Sequence, residues 1–518
     1  MSAASAPASA GPREWGGLAV LSLPTVLLGL DVTVLYLALP SLADELRPSS
    51  TEALWIMDAY GFLIAGFLIT MGTLGDRIGR RKLLLIGAAA FGAVSVVAAY
   101  SDSTALLIAA RAALGIAGAT LMPSTLALIT NMFAAPRQRS LAIGVWATSF
   151  ALGMALGPVV GGLMLDRFWW GSAFLLAVPV ALVLLVAAPL LIPEYRAPRT
   201  GRFDLLSVGL SLLAILPLVY AVKRVAKDGP EPFTLLAAAA GALFAMLFVR
   251  RQRGLTNPLL DMRLFSDRTF SAALGVLLVG LVGVGGAMLL ITQQLQFVEN
   301  MTPVEAGLWM GPPALMMFLA AIGAPVVARR VPPGIVVAAT LALSTLGYAL
   351  LTQVDAAGGL ALIVTGFGLV YLGLGALASL GTDLVVGAAP PEKAGSASAM
   401  SETVQELGLA LGVAILGSVA TAVYRSGVGD EIPADTPADA AEAPTDSLAG
   451  ASAASDRLPA DFLDRAEEAA TSGLNTAMLT AAIGTLLLSF LSAVVLRHIG
   501  TSGPVPGTEP AEDVPADR

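Results

Sequence analysis

The chain has 518 residues, of which 56% are hydrophobic and 13% charged, with a net charge of −8 and a mean hydropathy of +0.80. Soluble domains carry about 25% charged residues, so these proportions place the chain in a bilayer and exclude most large soluble catalytic modules. Zero Cys and a single His, His498, exclude disulfides, thiolate nucleophiles and Cys- or His-clustered metal centres, which leaves carboxylates, Arg and packing to carry any mechanism.

The opening MSAASAPASAGPREW has one Arg and no cleavage region behind a short apolar core, so the first apolar run is expected to stay in the protein. Apolar runs recur at 17–40, 53–74, 83–101, 105–131, 141–165, 171–192, 204–222, 233–250, 269–292, 304–327, 334–353, 358–387, 393–424 and 474–496, each near the roughly 20 residues a crossing needs. The expectation is fourteen transmembrane helices. An even number puts both termini on one side, and Lys and Arg accumulate in cytoplasmic loops. With both ends inside, twenty of the 29 basic residues fall in cytoplasmic segments and eight outside, while Arg111 lies within a span. The cluster Lys223, Arg224 and Lys227 runs against the bias, and one reversed loop rarely flips a topology.

The charge is unevenly placed. Between Arg425 and Ser472 there are eleven acids and three bases, which accounts for the whole net charge. The remainder has no basic stripe of the kind that holds nucleic acid. That external loop starts with Ala, Pro, Asp and Ser repeats too poor in large apolar residues to fold alone, then reaches PADFLDRAEEAA, where Phe462, Leu463 and Ala466 suit a short amphipathic helix. A cap on the outer mouth and a plain linker are both open readings. The tail from Thr501 is rich in Pro and acids and reads as disordered.

After the second span comes Gly72-Thr-Leu-Gly-Asp76-Arg77-Ile-Gly79-Arg80-Arg81-Lys82. Glycines serve a tight turn, Asp76 suits exposed backbone N–H groups at a helix start, and the basic cluster fixes orientation. In the fifth span, Gly153, Gly157 and Gly161 recur every fourth residue, with Pro158 and Gly162 beside them, a spacing that allows close helix approach. The pattern GxLxDRxGRR resembles the loop motif of the major facilitator superfamily, and GxxxGPxxGG resembles the antiporter motif of that superfamily's fifth helix. Leu30-Asp31-Val-Thr33 through Pro40, and Arg111 through Ala119 with Pro123, are similar to the family's first-helix acid and fourth-helix Arg. With Asn257 through Phe265 and Thr302 through Gly307, the likeness covers nearly the whole chain and is closest to the fourteen-span drug:proton antiporters.

The resemblance implies an all-α integral membrane protein with the major facilitator fold. It divides the chain into a cytoplasmic tail (1–16), an N-terminal bundle of helices 1–6 (17–192), an inserted pair (204–250), a C-terminal bundle of helices 9–14 (269–496) interrupted by the external loop (425–472), and a cytoplasmic tail (497–518). It implies that Asp76 and Arg77 belong to a cytoplasmic latch between bundles. Relatives that take doubly charged substrates bear an acid in mid-span ten, where this chain offers only Glu305 near the outer end, so mainly monovalent cations are expected.

An ionised side chain at mid-membrane costs about 2.5 to 3.5 kcal/mol on insertion scales and so usually faces a cavity. The residues in question are Asp31, Asp58, Arg111, Glu402 and Glu406. Glu402 and Glu406 share one face of span thirteen, and two such carboxylates in a low dielectric can take up and release a proton. A cap or pair near Lys393 is the plainer alternative for them. A purely structural ion pair is the alternative for Asp31 with Arg111, and simple solvation for Asp58. Tyr60, Trp146, Phe150, Trp309, Met310, Met316, Met317, Phe318, Phe367 and Tyr371 are expected to wall a cavity, since aromatic faces attract cations and Met adapts to varied ligands; packing or lipid contact is the other reading. No phosphate loop occurs, and the four lysines, Lys82, Lys223, Lys227 and Lys393, are assigned to loops, so an ion gradient, with protons as the expected ion, would drive transport without a cofactor. The expected activity is proton-coupled efflux of lipophilic cations such as dyes and quaternary ammonium compounds by alternating access, from a monomer in the cell membrane. Export of an endogenous metabolite or antibiotic is the alternative; a non-transport membrane enzyme or lipid-handling scaffold lacks a nucleophile or metal constellation.

Overall fold

The computed structural model describes residues 10–46, 48, 50–196, 204–228, 231–255, 258, 260–355, 359–390, 393–428, 448–453, 462–497 and 499–500. All regular elements among them are helical: α1 (Pro12–Leu46), α2 (Ser50–Ile78), α3 (Arg80–Ala99), α4 (Thr104–Met132), α5 (Pro136–Arg167), α6 (Ser172–Leu175), α7 (Ala177–Leu191), α8 (Leu205–Asp228), α9 (Pro232–Gly254), a 3₁₀ turn (Met262–Ser266), α10 (Arg268–Gln293) running into a π turn (Gln294–Val298), α11 (Pro303–Trp309), α12 (Gly311–Val327), α13 (Pro333–Leu351), α14 (Leu360–Gly387), α15 (Ala394–Val428), α16 (Leu448–Ala453) and α17 (Phe462–Val495). Ten helical columns among the described residues are long and apolar enough to cross a bilayer, or eleven with α5, which bends by 40° between Met154 and Val159. That bend spans Gly157 and Pro158, as expected where a proline interrupts the helix ladder. Helices α1, α2 and α8 also exceed the length a crossing needs.

Two columns are broken, and proline explains both. A proline ring clashes with the carbonyl four residues back. Pro179 acts on Leu175, where α6 stops, and Pro313 acts on Trp309, where α11 stops. Elsewhere the helices outrun the apolar runs. The first starts at Pro12, inside the expected tail, and α15 and α17 reach Val428 and back to Phe462, so the segment from Phe462 is the start of α17 rather than a separate amphipathic helix. The placement of the lysines in loops is corrected as well: Lys82 lies in the first turn of α3, and Lys223 and Lys227 lie on α8. Good helix formers such as Ala and Lys let a helix continue past the hydrocarbon once it is nucleated. The segments 1–9, 429–447, 454–461 and 501–518, and Asn257, lie outside the described residues. The short α16 packs Leu448 and Ala451 against Val298, Tyr424, Val428, Phe462, Ala466 and Ala469.

The packing repeats. In the first half α1 lies on α5, α2 on α4, and α3 on α4 and α7; in the second half α10 lies on α15, α12 on α14, and α13 on α14 and α17. The closest approaches repeat as well. Gly29 and Gly153 seat α1 and α5 against the carbonyls of Phe150 and Val26, where any Cβ would overlap, and Gly285 and Gly412 do the same for α10 and α15 against Leu409 and Val282. Gly161 extends the α1–α5 seam to Val34. Without a hydrophobic drive between helices in lipid, such close van der Waals packing holds the bundles.

Between the halves, α8 and α9 pack on each other, and α8 also touches α2 and α15. Asp204 starts this pair. Its carboxylate accepts from the backbone N–H groups of Leu206 and Ser207 at 3.2 and 3.3 Å and from Arg251 Nε and Nη2 of α9, each at 3.0 Å. The Arg251 bonds, with those from Ser207, hold the Asp204 carboxyl at about 2, below the usual carboxylate range. Asp204→Ala removes a helix cap worth about 1 kcal/mol together with the α8–α9 staple, and should lower the unfolding midpoint of purified protein. Because the folded value is depressed, the native contribution is full above about 4 and fades as pH falls toward 2. Wild-type and variant midpoints should therefore converge at acid pH; a constant gap would contradict the assignment.

Candidate functional site

Arg111, on the eighth residue of α4, is 2% exposed. Its Nη1 donates to Asp31 Oδ2 of α1 at 2.7 Å and its Nε donates to the Ile56 carbonyl of α2 at 3.1 Å. The guanidinium carbon stands 4.5 Å from the centre of the Tyr60 ring and 6.0 Å from that of Phe174. Gly115, one turn along α4, makes this convergence possible, because a Cβ there would lie only 2.5 Å from the Tyr60 carbonyl. Thus three helices meet around one cation, and a carboxylate, a carbonyl and an aromatic face compensate its burial.

Tyr60 links this pair to the second half. It is 4% exposed, its hydroxyl has no hydrogen-bond partner, and it stands in the fields of Asp31, Arg111 and Glu406 of α15. Glu402, one turn from Glu406 and in its field, is 3% exposed, and its Oε1 has no partner. Glu406 is half-buried. Lys393 acts on Asp76 rather than on either glutamate. The helical rise of 1.5 Å per residue puts Arg111 roughly 10 Å below the start of α4 and Glu402 roughly 12 Å above the start of α15, at opposite ends of the molecule. The Asp58 side chain lies outside the described residues.

The expected cavity wall divides. Trp146 is buried with Nε1 donating to Thr125 Oγ1 at 3.0 Å, Phe367 and Tyr371 stack with ring centres 4.3 Å apart, Met317 is buried, and Phe150, Met310 and Met316 are half-buried. Trp309 and Phe318 are 44% and 37% exposed, which corrects their assignment to a closed aromatic core; the break after Trp309 turns that end of the column outward. Glu305 is committed elsewhere. It forms a capping box with Thr302, whose backbone N–H and hydroxyl both donate to it and hold its carboxyl below the usual range.

At the end bearing the basic cluster, the Asp76 carboxylate accepts from Arg80 Nε and Nη2 at 2.9 and 2.6 Å. Arg80 is fully buried, and its backbone N–H donates to the Tyr195 carbonyl at 3.0 Å. Gly79 has φ +113°, open to glycine, and a Cβ there would strike Glu194, whose carboxylate caps α3 by accepting from the N–H groups of Arg81 and Lys82. Arg77 ends α2 and Gly72 is buried. This network belongs mostly to the first half, with Lys393 its electrostatic link to α15. The pair that ties the halves is one the sequence reading missed: Arg139 Nε of α5 donates to Asp383 Oδ1 of α14 at 2.9 Å, and Ser140 Oγ donates to Asp383 Oδ2. One turn deeper, Gly144 lies against the Ala321 carbonyl and Ser379. At the opposite end, Gly162 of the antiporter motif meets Val304 of α11, while Gly157 is buried and the Pro158 side chain lies outside the described residues. The halves are therefore in contact at both ends of α5.

The family profile of the Major Facilitator Superfamily matches residues 21–413. The chain belongs to that superfamily. It is 42% identical over 487 residues, 93% of this chain and 96% of the other, to the multidrug efflux pump LfrA of Mycolicibacterium smegmatis. It is 35% identical to the methyl viologen resistance protein SmvA of Salmonella typhimurium, covering 80% and 84% of the two chains. The crystal structure of the human organic anion transporter MFSD10 (TETRAN) superposes with a TM-score of 0.62 at 17% identity, over 93% of this chain and all of that one, a likeness of fold. As a major facilitator protein, the chain is a multi-pass membrane transporter rather than an enzyme.

A transporter of this superfamily must part its halves, and the Arg139–Asp383–Ser140 cluster is what must break at the basic end. Asp383 was legible only as an acid near the end of an apolar run; its partner lies 244 residues away. Loss of one charge-assisted bond costs about 1.5 kcal/mol or more, so Asp383→Asn should favour the state open at that end by about tenfold. The chain has no Cys, so Ser379→Cys, at a position that is fully buried, serves as a reporter. Maleimide should modify it about tenfold faster when Asp383→Asn is added, and an unchanged rate would remove the pair from gating.

Proposed function

We propose that this transporter is a proton-coupled multidrug efflux antiporter that exports lipophilic, mainly monovalent cations such as dyes and quaternary ammonium compounds by alternating access. The carrying observation is Glu402: a carboxylate 3% exposed, with a partnerless oxygen, one turn from a second acid on the seam facing the Tyr60–Arg111–Asp31 cluster. An uncompensated carboxylate at this depth is costly, and a bound proton or a bound cation relieves the same cost. A cation arriving beside the protonated carboxyl favours its charged form, and the proton leaves. Substrate and proton then compete for one negative charge, which is antiport.

Trp146, Phe150, Met310, Met317, Phe367 and Tyr371 supply faces that suit a flat, lipophilic cation. Glu305, held in its capping box, leaves no spare acid on that column for a second positive charge, which supports the preference for monovalent ions. The relatives named for multidrug efflux and methyl viologen resistance support export. In this reading the chain crosses the membrane fourteen times, with α6–α7 and α11–α12 each one crossing. Its basic end and both termini are cytoplasmic, the protein acts as a monomer, and a proton gradient replaces any cofactor.

Purified protein in weak buffer should release protons when a lipophilic monocation is added. Glu402→Gln should abolish that release, Glu406→Gln should narrow the substrate range, and Arg111→Ala should stop coupled efflux with expression intact. Undiminished release from the Glu402→Gln, Glu406→Gln double variant would sink the proposal.

A further inference from the structure

Asp31 has a side that does not face Arg111. Its side chain is 11% exposed, against 2% for its partner, and it opens on a cavity of about 20 Å³ lined by Leu27, Leu30, Val34 and Leu35 of α1, Phe91 of α3, and Ala173, Phe174, Leu176 and Ala177 of α6–α7. A volume of 10 to 15 Å³ on this measure admits one water. Asp31 is the only charged group in this lining, so a water there has a carboxylate to bind. The cavity lies where Pro179 breaks the column between α6 and α7, and Leu176 at the break is part of its wall. Neither α5 nor any helix of the second half contributes to it.

We infer that this cavity is a water site through which Asp31 exchanges its proton with the aqueous phase at the end opposite the basic cluster, by a route inside the first bundle that is separate from the cation's path along the seam. The inference rests on the proton-coupled reading above. The geometry has a functional point: a cation bound against Glu402 and Glu406 leaves the Asp31 side open, so proton uptake does not wait for the substrate to leave. A proton arriving from a water passes to the Asp31 carboxylate, the water keeps its remaining hydrogens, and the Arg111 bond to Oδ2 is weakened as the acid is neutralised. The charged and titratable groups around Asp31 are Arg111 of α4 and Tyr60 of α2; α3, α6 and α7 present only apolar side chains to the cavity.

Because the chain has no Cys, single cysteines can be tested with Ag⁺, a probe close to water in size. Ala177→Cys, on the cavity wall, should react at least tenfold faster than Leu184→Cys, two turns along α7 and 1% exposed. Equal rates would show that water does not reach the cavity and would overturn the inference, whatever the transporter couples to. Filling the cavity with Ala177→Leu should slow proton uptake at least fivefold after a pH jump and leave cation affinity at fixed pH unchanged. A folded Ala177→Leu protein that takes up protons at the native rate would overturn the route. Should Ala177→Leu fail to fold, Phe174→Leu widens the same cavity and should speed uptake, and an unchanged rate there counts equally against it. Loss of substrate-induced proton release in every background, with silver access retained, would instead mark a failure of the antiport reading.

Discussion

A guanidinium 2% exposed within a membrane helix sets the terms for the first half of this protein. Insertion of a bare Arg at that depth costs several kcal/mol, and no single partner supplies all that the guanidinium needs. Asp31 neutralises its charge, the Ile56 carbonyl takes a second N–H, and the Tyr60 ring covers one face. These come from α1 and α2, so both must close on α4. The glycines follow from that demand: Gly115 lets α4 reach the Tyr60 backbone, and Gly29, Gly153 and Gly161 lock α1 against α5. Packing and electrostatics here are one constraint.

The second half repeats the packing without repeating the charges. Gly375 of α14 meets the Met317 carbonyl of α12 as Gly115 of α4 meets that of Tyr60, so counting four residues back from each glycine sets Tyr371 where the first half has Arg111. By the same count from Gly29 and Gly285, Ala287 stands where Asp31 does. The second half instead carries its acids, Glu402 and Glu406, on α15. A repeated scaffold thus holds a satisfied ion pair in one half and an unsatisfied carboxylate in the other. That asymmetry gives the pair something to work against, since moving the halves changes the field that Tyr60, Arg111 and Glu406 share.

Much of this was legible in the chain. A charge inside an apolar run demands a partner, and Asp31 and Arg111 were the natural pair; i, i+4 spacing put Glu402 and Glu406 on one face; small residues every fourth position marked the α1–α5 seam. Other features depend on tertiary placement. Asp383 could not be matched to Arg139 because nothing local joins them. The exposure of Trp309 and Phe318 follows from how the column turns at Pro313, and apolar character alone does not distinguish a cavity wall from a lipid face. Helix ends also ran past the apolar runs, as at Phe462 and Val428, because hydropathy marks the hydrocarbon and not the end of the backbone ladder. The cavity beside Asp31 has no sequence signature: it arises from four helical segments leaving a gap.

The central claim is that an uncompensated carboxylate at the seam trades a proton for a cation. Purified protein in liposomes, with no nucleotide present, can be given a pH gradient alone while a fluorescent lipophilic monocation is followed. The account predicts that the cation moves against the proton flow, that the flux ends when a protonophore collapses the gradient, and that membrane potential clamped at zero leaves net flux in place. Cation flux indifferent to the pH gradient would contradict it.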